Sequence, residues 1–172
     1  DILSVHGWGM RYANQGLTLG DAWWEFDGQE IFKRAVQAMA AASGGVLQKC
    51  GLGVDDIAVV VPHQANLRII EAVAKRVGVP SEKVFVNVHR YGNMSAATAP
   101  VALVEALEEG RVRGGDAVLM PAFGGGLTWC AHLLRWGERT TPLGQAQIEL
   151  PPCDQTALEL VNDIISRKGG KS

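Results

Sequence analysis

Three short turns in the sequence carry residue types that suit the stabilisation of a negatively charged oxygen. His63 follows one apolar segment, Asn93 follows a second, and Gly125 lies in a run of three glycines after a third. They offer an imidazole N–H, a carboxamide NH₂ and an open backbone N–H, which are all neutral hydrogen-bond donors. Such a set suits an enolate or a tetrahedral intermediate, and it contains neither a nucleophile nor a carboxylate base.

Each of these residues also has an ordinary structural explanation. A loop histidine often bonds only to backbone groups, Gly-Asn is a typical turn pair, and three glycines can close a hairpin. The functional interpretation therefore depends on whether the three turns lie together.

Short apolar strands are the elements that would bring the turns together. Ile57–Val61 is rich in β-branched residues and is typical of a strand buried on both faces, which Pro62 ends. Val84–Val88 and Val118–Phe123 predict two further strands, and residues 127–136 predict a return strand. Ligands bind at the carboxyl ends of strands in open α/β sheets, so we expect the turns to converge on one edge of a mixed sheet.

Helical periodicity predicts the elements that cover this sheet. Helices are expected over residues 29–47, from residue 65 or 66 to Gly78, and over residues 102–109. Gly44 and Gly45 predict the fraying end of the first helix. The all-small run Ser95–Ala99 predicts close packing of the third helix at the centre. The fold class is therefore an α/β half-domain with a mixed β-sheet covered by helices.

The two ends of the chain are predicted to differ from this centre. Ile2–Trp8 predicts a strand, and residues 9–28 predict a loop with one short strand around Leu17–Leu19. We predict one domain over residues 1–136, followed by a linker and a short helical extension over 137–172. Asp154 is expected to cap that helix, and the last five residues are expected to be disordered.

Composition excludes several functional classes. The 172 residues are 47% hydrophobic and 20% charged, which is typical of a globular domain. The net charge of −2 gives no field for nucleic acid or membrane surfaces, and no run reaches the ~18 apolar residues of a membrane span. Cys50, Cys130 and Cys153 show no metal-ligand spacing, so we expect no metal and a reducing, cytoplasmic compartment. The first residue is Asp1 and not Met, which predicts a piece of a longer chain.

Four segments, taken in order, resemble the C-terminal half of the thiolase-superfamily condensing enzymes, and within them the β-ketoacyl-acyl-carrier-protein synthase III family. Any one of them is a weak signal, but their order and spacing agree across residues 1–136. The resemblance implies a thiolase-like half-domain. The segments are DGQEIFKRAV (Asp27–Val36), VPHQANLRII (Val61–Ile70), RYGNMSAATAP (Arg90–Pro100) and AFGGGLTW (Ala122–Trp129).

The resemblance implies catalytic roles. In this family a cysteine of the N-terminal half is acylated from an acyl-CoA, and decarboxylation of malonyl-acyl-carrier protein yields the enolate that attacks it. His63 and Asn93 match the two residues that stabilise the enolate, and the loop with Gly125 matches the segment that forms the oxyanion hole. The oxyanion and substrate pocket implied by the resemblance consists of Phe123, Gly125, Gly28 and Asn66.

The resemblance also implies partners. They are acyl carrier protein, a CoA thioester, an N-terminal half with the nucleophilic cysteine, and a second copy in a homodimeric enzyme, without any cofactor. The basic helix after His63 is equally well explained, from its residues alone, as a solvated face. The carrier-protein-docking segment implied by the resemblance consists of Gln64, Ala65, Asn66, Leu67 and Arg68, with Arg68 as the main cationic contact.

The chain departs from the family pattern in two ways. The nucleophilic cysteine and the N-terminal half are absent, and residues 137–172 extend past the usual end of the family. We therefore expect a catalytic half that is inactive in isolation and exposes a large apolar face, through which it pairs with its missing half or with itself. The alternatives are a non-catalytic carrier-protein or CoA-binding module, a specialised-metabolite member of the family, and hydrolytic acyl transfer by Cys130.

Overall fold

The computed structural model describes residues 2–6, 23–141, 147–148, 152 and 154–169. The chain divides into two compact units, Asp27–Leu143 and a second unit that combines Asp1–Phe26 with Gly144–Ser172. This division falls after residue 143, whereas the predicted domain boundary falls after residue 136. All of the candidate site residues belong to the first of these units.

At the amino terminus, β1 (Leu3–His6) pairs antiparallel with β2 (Trp23–Phe26). β1 lies within the strand predicted over Ile2–Trp8, but β2 lies in a segment predicted to be a loop. Its aromatic residues have high strand propensity, which the neighbouring glycines concealed. The short strand predicted around Leu17–Leu19 lies outside the described residues.

A three-stranded mixed sheet forms the centre of the larger unit. β3 (Val59–Val60) pairs in parallel with β4 (Ala117–Gly124), which pairs antiparallel with β5 (Thr128–Arg135). Backbone hydrogen bonds continue the parallel pairing beyond β3, as far as His63 N–H, which donates to Pro121 O at 2.9 Å. This topology confirms the predicted mixed sheet and places the His63 turn beside the carboxyl-terminal half of β4.

Two helices pack together beside the sheet. α1 (Gly28–Cys50) contacts β4, β5 and α2 (Leu67–Val77). α1 stays helical through Gly44 and Gly45, where fraying was predicted, because buried Ser43 and Leu47 on either side of the glycines keep the helix against the core. It ends at Cys50, beyond the predicted end at residue 47. α2 begins after its N-cap Asn66 and ends before Gly78, as its periodicity predicts.

The strand predicted over Val84–Val88 is wrong. One parallel bridge forms, between Val60 and Val84, and Phe85 N–H donates to Val60 O at 2.9 Å. Beyond the bridge, the side chain of buried Gln64 bonds to the backbone groups that a strand partner would need. The chain therefore leaves the sheet and forms the short helix α3 (Val88–Tyr91).

The small-residue segment forms a 3₁₀ turn, Ser95–Ala97, that leads into α4 (Thr98–Glu108). The inner face of α4 is buried, and its Ala102 and Ala106 pack in one cluster with residues of the sheet. The outer face carries exposed residues at four-residue spacing, namely Ala96 in the preceding turn, Pro100 and Val104. The predicted close packing is thus met on the inner face of α4 only.

The final helix, α5 (Ala157–Gly169), begins with a capping box in which Thr156 and not Asp154 is the cap. Thr156 N–H donates to Glu159 Oε2 at 2.7 Å, and Glu159 N–H donates to Thr156 Oγ1 at 3.2 Å. Lys168 and Gly169 belong to α5, so the predicted disordered end begins too early; residues 170–172 lie outside the described range. Within the described parts of the chain, every helix is too short or too polar to cross a membrane.

Candidate active site

The His63 turn is fixed at the end of the parallel strand pair. Its backbone N–H donates to Pro121 O, and Ala65 N–H donates to His63 O at 3.0 Å. The side chain is half-buried, and this burial lowers the pKa of the imidazole below its usual value of 6.5. The ring is therefore neutral at neutral pH. Its Nδ1 atom lies 2.5 Å from Oγ1 of Thr98, the first residue of α4.

Thr98 connects His63 to the Asn93 turn. The Thr98 side chain is fully buried, and its Oγ1 atom lies 3.0 Å from the backbone oxygen of Ser95. Ser95 N–H in turn donates to Asn93 Oδ1 at 2.9 Å. Three close polar contacts and the backbone of Ser95 therefore join His63 to Asn93 in one continuous group. The structure therefore connects the two predicted catalytic residues through Thr98 and Ser95, and their catalytic roles stay predictions.

The Asn93 turn presents the donor end of its carboxamide. Asn93 is exposed, and because Oδ1 accepts the Ser95 N–H, the NH₂ group is left without an acceptor among the described residues. Ser95 has a φ of 56°, a left-handed conformation that is uncommon for a residue with a side chain. Such conformations persist only where the surroundings impose them, and they cluster at functional sites.

Phe123 lies in the same apolar cluster as Ala65, which follows the His63 turn, and both pack near buried residues of α1 and α2. Gly125 lies just beyond the end of β4 and is exposed. Gly28 is the first residue of α1 and is also exposed. In the described parts of the chain, no hydrogen bond joins either glycine to His63 or Asn93. The pocket roles of Phe123, Gly125 and Gly28 therefore stay predictions.

Both polar atoms of the Gln64 side chain form hydrogen bonds within the fold. Its side chain is 0% exposed; Nε2 donates to Pro62 O at 2.9 Å and to Phe85 O at 3.1 Å. Oε1 accepts from Asn87 N–H at 3.0 Å and from Val88 N–H at 3.2 Å. These bonds tie the His63 turn to the segment that leads to Asn93, so they leave no polar atom of Gln64 for the predicted docking contact.

The rest of the predicted docking segment is accessible. Asn66 is exposed, and its Oδ1 accepts the Ile69 N–H at 2.9 Å as the N-cap of α2. Leu67 is 47% exposed, and the exposed Arg68 guanidinium lies 5.6 Å from the centre of the Phe32 ring. This stacking holds the charge near the start of α2. The surface formed by residues 66–68 thus adjoins the His63 turn.

A carboxylate that sequence reasoning did not use anchors the Asn93 segment. Glu105 of α4 accepts hydrogen bonds from Tyr91 OH and from Asn87 Nδ2, the latter at 2.9 Å, and lies 3.2 Å from Arg90 Nη1. The bond from Tyr91, followed by that from Asn87, lowers the pKa of Glu105, and the same contact raises the pKa of Tyr91. A single acid on the inner face of an otherwise apolar helix is the signal that could have identified it.

The cysteines are not part of this group. Cys50 and Cys130 are free and exposed, and Cys130 lies on β5 opposite Ala122. Neither is hydrogen-bonded to His63 or Asn93 in the part of the chain that the structure describes; Cys153 lies outside the described residues. Nor do the described residues contain a cluster of three or more potential metal ligands.

A family model described as 3-oxoacyl-[acyl-carrier-protein (ACP)] synthase III C terminal matches residues 47–136. This range contains His63, Asn93 and Thr98, and with them the whole hydrogen-bonded group. The chain belongs to this family. The match excludes Gly28 and the tail, so it bears on the two turns and the sheet that holds them.

Individual relatives agree with this assignment. The chain is 51% identical over 167 residues to beta-ketoacyl-[acyl-carrier-protein] synthase III 2 of Vibrio cholerae, which covers 96% of this chain and 46% of the relative. It is 53% identical over 138 residues to the synthase III of Roseiflexus castenholzii, which covers 79% and 42%. The chain therefore spans less than half the length of these relatives.

A solved structure supports the same fold. The crystal structure of 3-oxoacyl-(acyl carrier protein) synthase III from Pseudomonas aeruginosa aligns with a TM-score of 0.72 at 35% identity, over 80% of this chain and 42% of that one. The predicted thiolase-like α/β half-domain is confirmed.

The relatives also explain part of what the sequence motifs left open. The Vibrio cholerae match covers 96% of the chain and therefore includes most of residues 137–172. The tail, which the resemblance did not account for, is thus shared with at least one family member.

Proposed function

We propose that the chain is the C-terminal catalytic half of a 3-oxoacyl-[acyl-carrier-protein] synthase III. In the whole enzyme it would catalyse the decarboxylative condensation of malonyl-acyl-carrier protein with an acyl group held on a cysteine of the other half. The observation that carries the proposal is the hydrogen-bonded group from His63 to Asn93. It joins two neutral hydrogen-bond donors, which are what stabilisation of an enolate oxygen requires.

The proposed chemistry begins at the malonyl thioester. The bond between the α-carbon and the carboxylate breaks, CO₂ leaves, and the electron pair moves through the α-carbon onto the thioester oxygen. His63 and Asn93 donate hydrogen bonds to that oxygen, and these bonds strengthen as its negative charge grows. A neutral imidazole suffices for this role, which fits the lowered pKa of His63.

In the second step the enolate carbon attacks the carbonyl carbon of the acyl-cysteine, and the cysteine thiolate leaves. We propose that the backbone N–H of Gly125 helps to stabilise the intermediate oxyanion, and that Phe123 lines the pocket. The reaction needs no cofactor beyond its thioester substrates. Malonyl-acyl-carrier protein would dock on the surface formed by residues 66–68, with Arg68 as the cationic contact.

The missing half would cover α4. The exposed residues Ala96, Pro100 and Val104 form an apolar stripe, which is unusual for a free helix surface. We expect the chain to bind a separately produced N-terminal half, and Val104→Asp to weaken that association. If light scattering shows a monomer that does not bind the N-terminal half, the result would count against this proposal.

The decisive experiment reconstitutes the chain with a cysteine-bearing half and follows malonyl decarboxylation. His63→Ala and Asn93→Ala are each expected to lower the rate on the order of 10²-fold or more, because each removes one donor to the enolate oxygen. His132→Ala on β5 is the matched control, since His132 is exposed and outside the group. Retained activity in both variants would reject the enzyme and leave a binding module. Labelling of Cys130 by a thiol reagent, with loss of acyl transfer, would favour a hydrolytic alternative.

A further inference from the structure

The hydroxyl of Thr98 has two acceptors and only one proton. Its Oγ1 atom lies 2.5 Å from His63 Nδ1 and 3.0 Å from the backbone oxygen of Ser95. Thr98 is 0% exposed, so bulk water does not compete for the hydroxyl. The proton can be donated to only one of these two groups at a time.

This choice decides which nitrogen of His63 carries its proton. The neutral ring has one N–H. If Thr98 donates to Ser95 O, Nδ1 must carry the proton in order to donate to Oγ1, and Nε2 becomes a bare acceptor. If Thr98 donates to Nδ1, the proton resides on Nε2, and that nitrogen becomes a donor.

We propose that Thr98 is a positioning residue that donates its hydroxyl proton to Nδ1 and thereby holds His63 as the Nε2–H tautomer. The proposal rests on the proposed function, because an enolate oxygen needs a donor and the bare acceptor would repel it. The 2.5 Å separation of Oγ1 and Nδ1 is within hydrogen-bond distance for this donation. Without the Thr98 hydroxyl, Nδ1 would lose the hydrogen bond that favours the Nε2–H tautomer.

The alternative partners of the two acceptors point the same way. The carbonyl oxygen of Ser95 also accepts the backbone N–H of Thr98, so it keeps a donor when the Thr98 hydroxyl turns away from it. His63 is half-buried, and Nδ1 has no other donor among the described residues. When Thr98 donates to Nδ1, Ser95 O therefore keeps its backbone donor and Nδ1 has a partner, so the Nε2–H tautomer leaves neither of these acceptors unsatisfied.

The test begins with the wild-type chain labelled with ¹⁵N-histidine. Long-range ¹H–¹⁵N correlation spectra identify which ring nitrogen is protonated, and His63→Asn assigns the His63 signals among the four histidines. The expected result at neutral pH is a single Nε2–H tautomer. An Nδ1–H tautomer in the wild-type chain overturns the proposal without any variant.

Two substitutions at position 98 then separate the hydroxyl from the shape of the side chain. Thr98→Val keeps the volume and removes the hydroxyl, and it is expected to give a mixture of tautomers. Thr98→Ser keeps the hydroxyl and is expected to restore the Nε2–H form. Thermal unfolding confirms that each variant is folded. An unchanged single tautomer in folded Thr98→Val would show that something other than Thr98 sets it, and would reject the proposal.

Kinetics of the reconstituted enzyme give the second readout. Thr98→Val is expected to lower kcat for condensation on the order of 10-fold with KM for malonyl-acyl-carrier protein nearly unchanged, and Thr98→Ser to restore it. A rise in KM alone would contradict a role in the chemical step. Should the reconstituted wild type show no condensation, the proposed function fails, while the tautomer measurement still decides the role of Thr98.

Discussion

The turn that carries His63 and the turn that carries Asn93 are held in different ways. The His63 turn is built into the sheet: its backbone pairs with β4, and the neighbouring Gln64 makes four hydrogen bonds with no exposure to solvent. The Asn93 turn lies on the surface and is held at its two ends, by Glu105 before the turn and by Thr98 after it. The position of His63 is therefore fixed by the backbone of the sheet, whereas the position of Asn93 depends on a few side-chain contacts.

The difference teaches that neighbouring motif residues need not share a role. Gln64 follows His63 directly, yet its side chain points into the fold and joins the two turns to each other. The alignment of the two donors is consequently a property of Gln64, Glu105 and Thr98, none of which supplies a hydrogen bond to a substrate in the proposed mechanism.

The largest expected effect tests the rigid side of this comparison. Gln64→Ala should lower the free energy of unfolding by about 4 kcal/mol, because it opens a cavity and leaves several buried backbone groups without partners. Chemical denaturation measures the loss. Gln48→Ala, at an exposed position on α1, is the control and should change little. A loss below about 1 kcal/mol would mean that the His63 turn is not held by Gln64.

The second prediction addresses the anchor of the Asn93 segment. Glu105→Gln should cost about 2 kcal/mol at neutral pH, because Tyr91 and Asn87 donate to different carboxylate oxygens, one of which becomes an NH₂ group, and because the charge opposite Arg90 is lost. Glu108→Gln on the same helix is the matched control, since Glu108 is exposed.

The pH dependence of this variant follows from the sign of the pKa shift. The pKa of Glu105 is lowered in the folded chain, so its carboxylate stabilises the fold above the ordinary value of 4.5. That contribution is lost as the pH falls through the lowered pKa. The gap in stability between wild type and Glu105→Gln should therefore shrink below pH 4.5; a constant gap would contradict the assignment.

The third prediction concerns the exposed end of the His63 turn. Arg68→Glu should raise KM for malonyl-acyl-carrier protein about 10-fold, or ~1.4 kcal/mol, because it reverses the charge next to the proposed docking surface. Arg76→Glu, near the other end of α2, controls for the general change in charge. Equal effects of the two variants would remove Arg68 as a specific contact.

The smallest effect comes from the titration of His63. Burial lowers the pKa of its imidazole, so below the ordinary value of 6.5 the unfolded chain takes up a proton before the folded chain does. Its stabilising contribution is complete above that value and is lost as the pH falls toward the lowered pKa. As the pH falls from about 7.5 to about 5.5, wild type should lose more stability than His63→Gln. Equal losses in denaturant titrations would contradict the shift.

The local sequence pattern was sufficient to predict a helix or strand wherever the residues within that element determine where it begins and ends. The caps of α2, Asn66 and Gly78, were predictable because a side-chain acceptor and a left-handed glycine end a helix by themselves. The strands β4 and β5 were predictable from two adjacent apolar runs with a short connection. The strand at Val84–Val88 was not, because a distant side chain, Gln64, bonds to the backbone groups that the ladder would use.

The sequence by itself determined the donor types, His63 and Asn93, the order of the elements around them and the family to which they belong. All of these follow from the residue types and their spacing along the chain. Only the tertiary structure decided that Thr98 connects the two donors, that Gln64 is buried and that Glu105 anchors the approach to Asn93. These contacts join residues distant in sequence, so they arise only when the sheet, α3 and α4 have packed against one another.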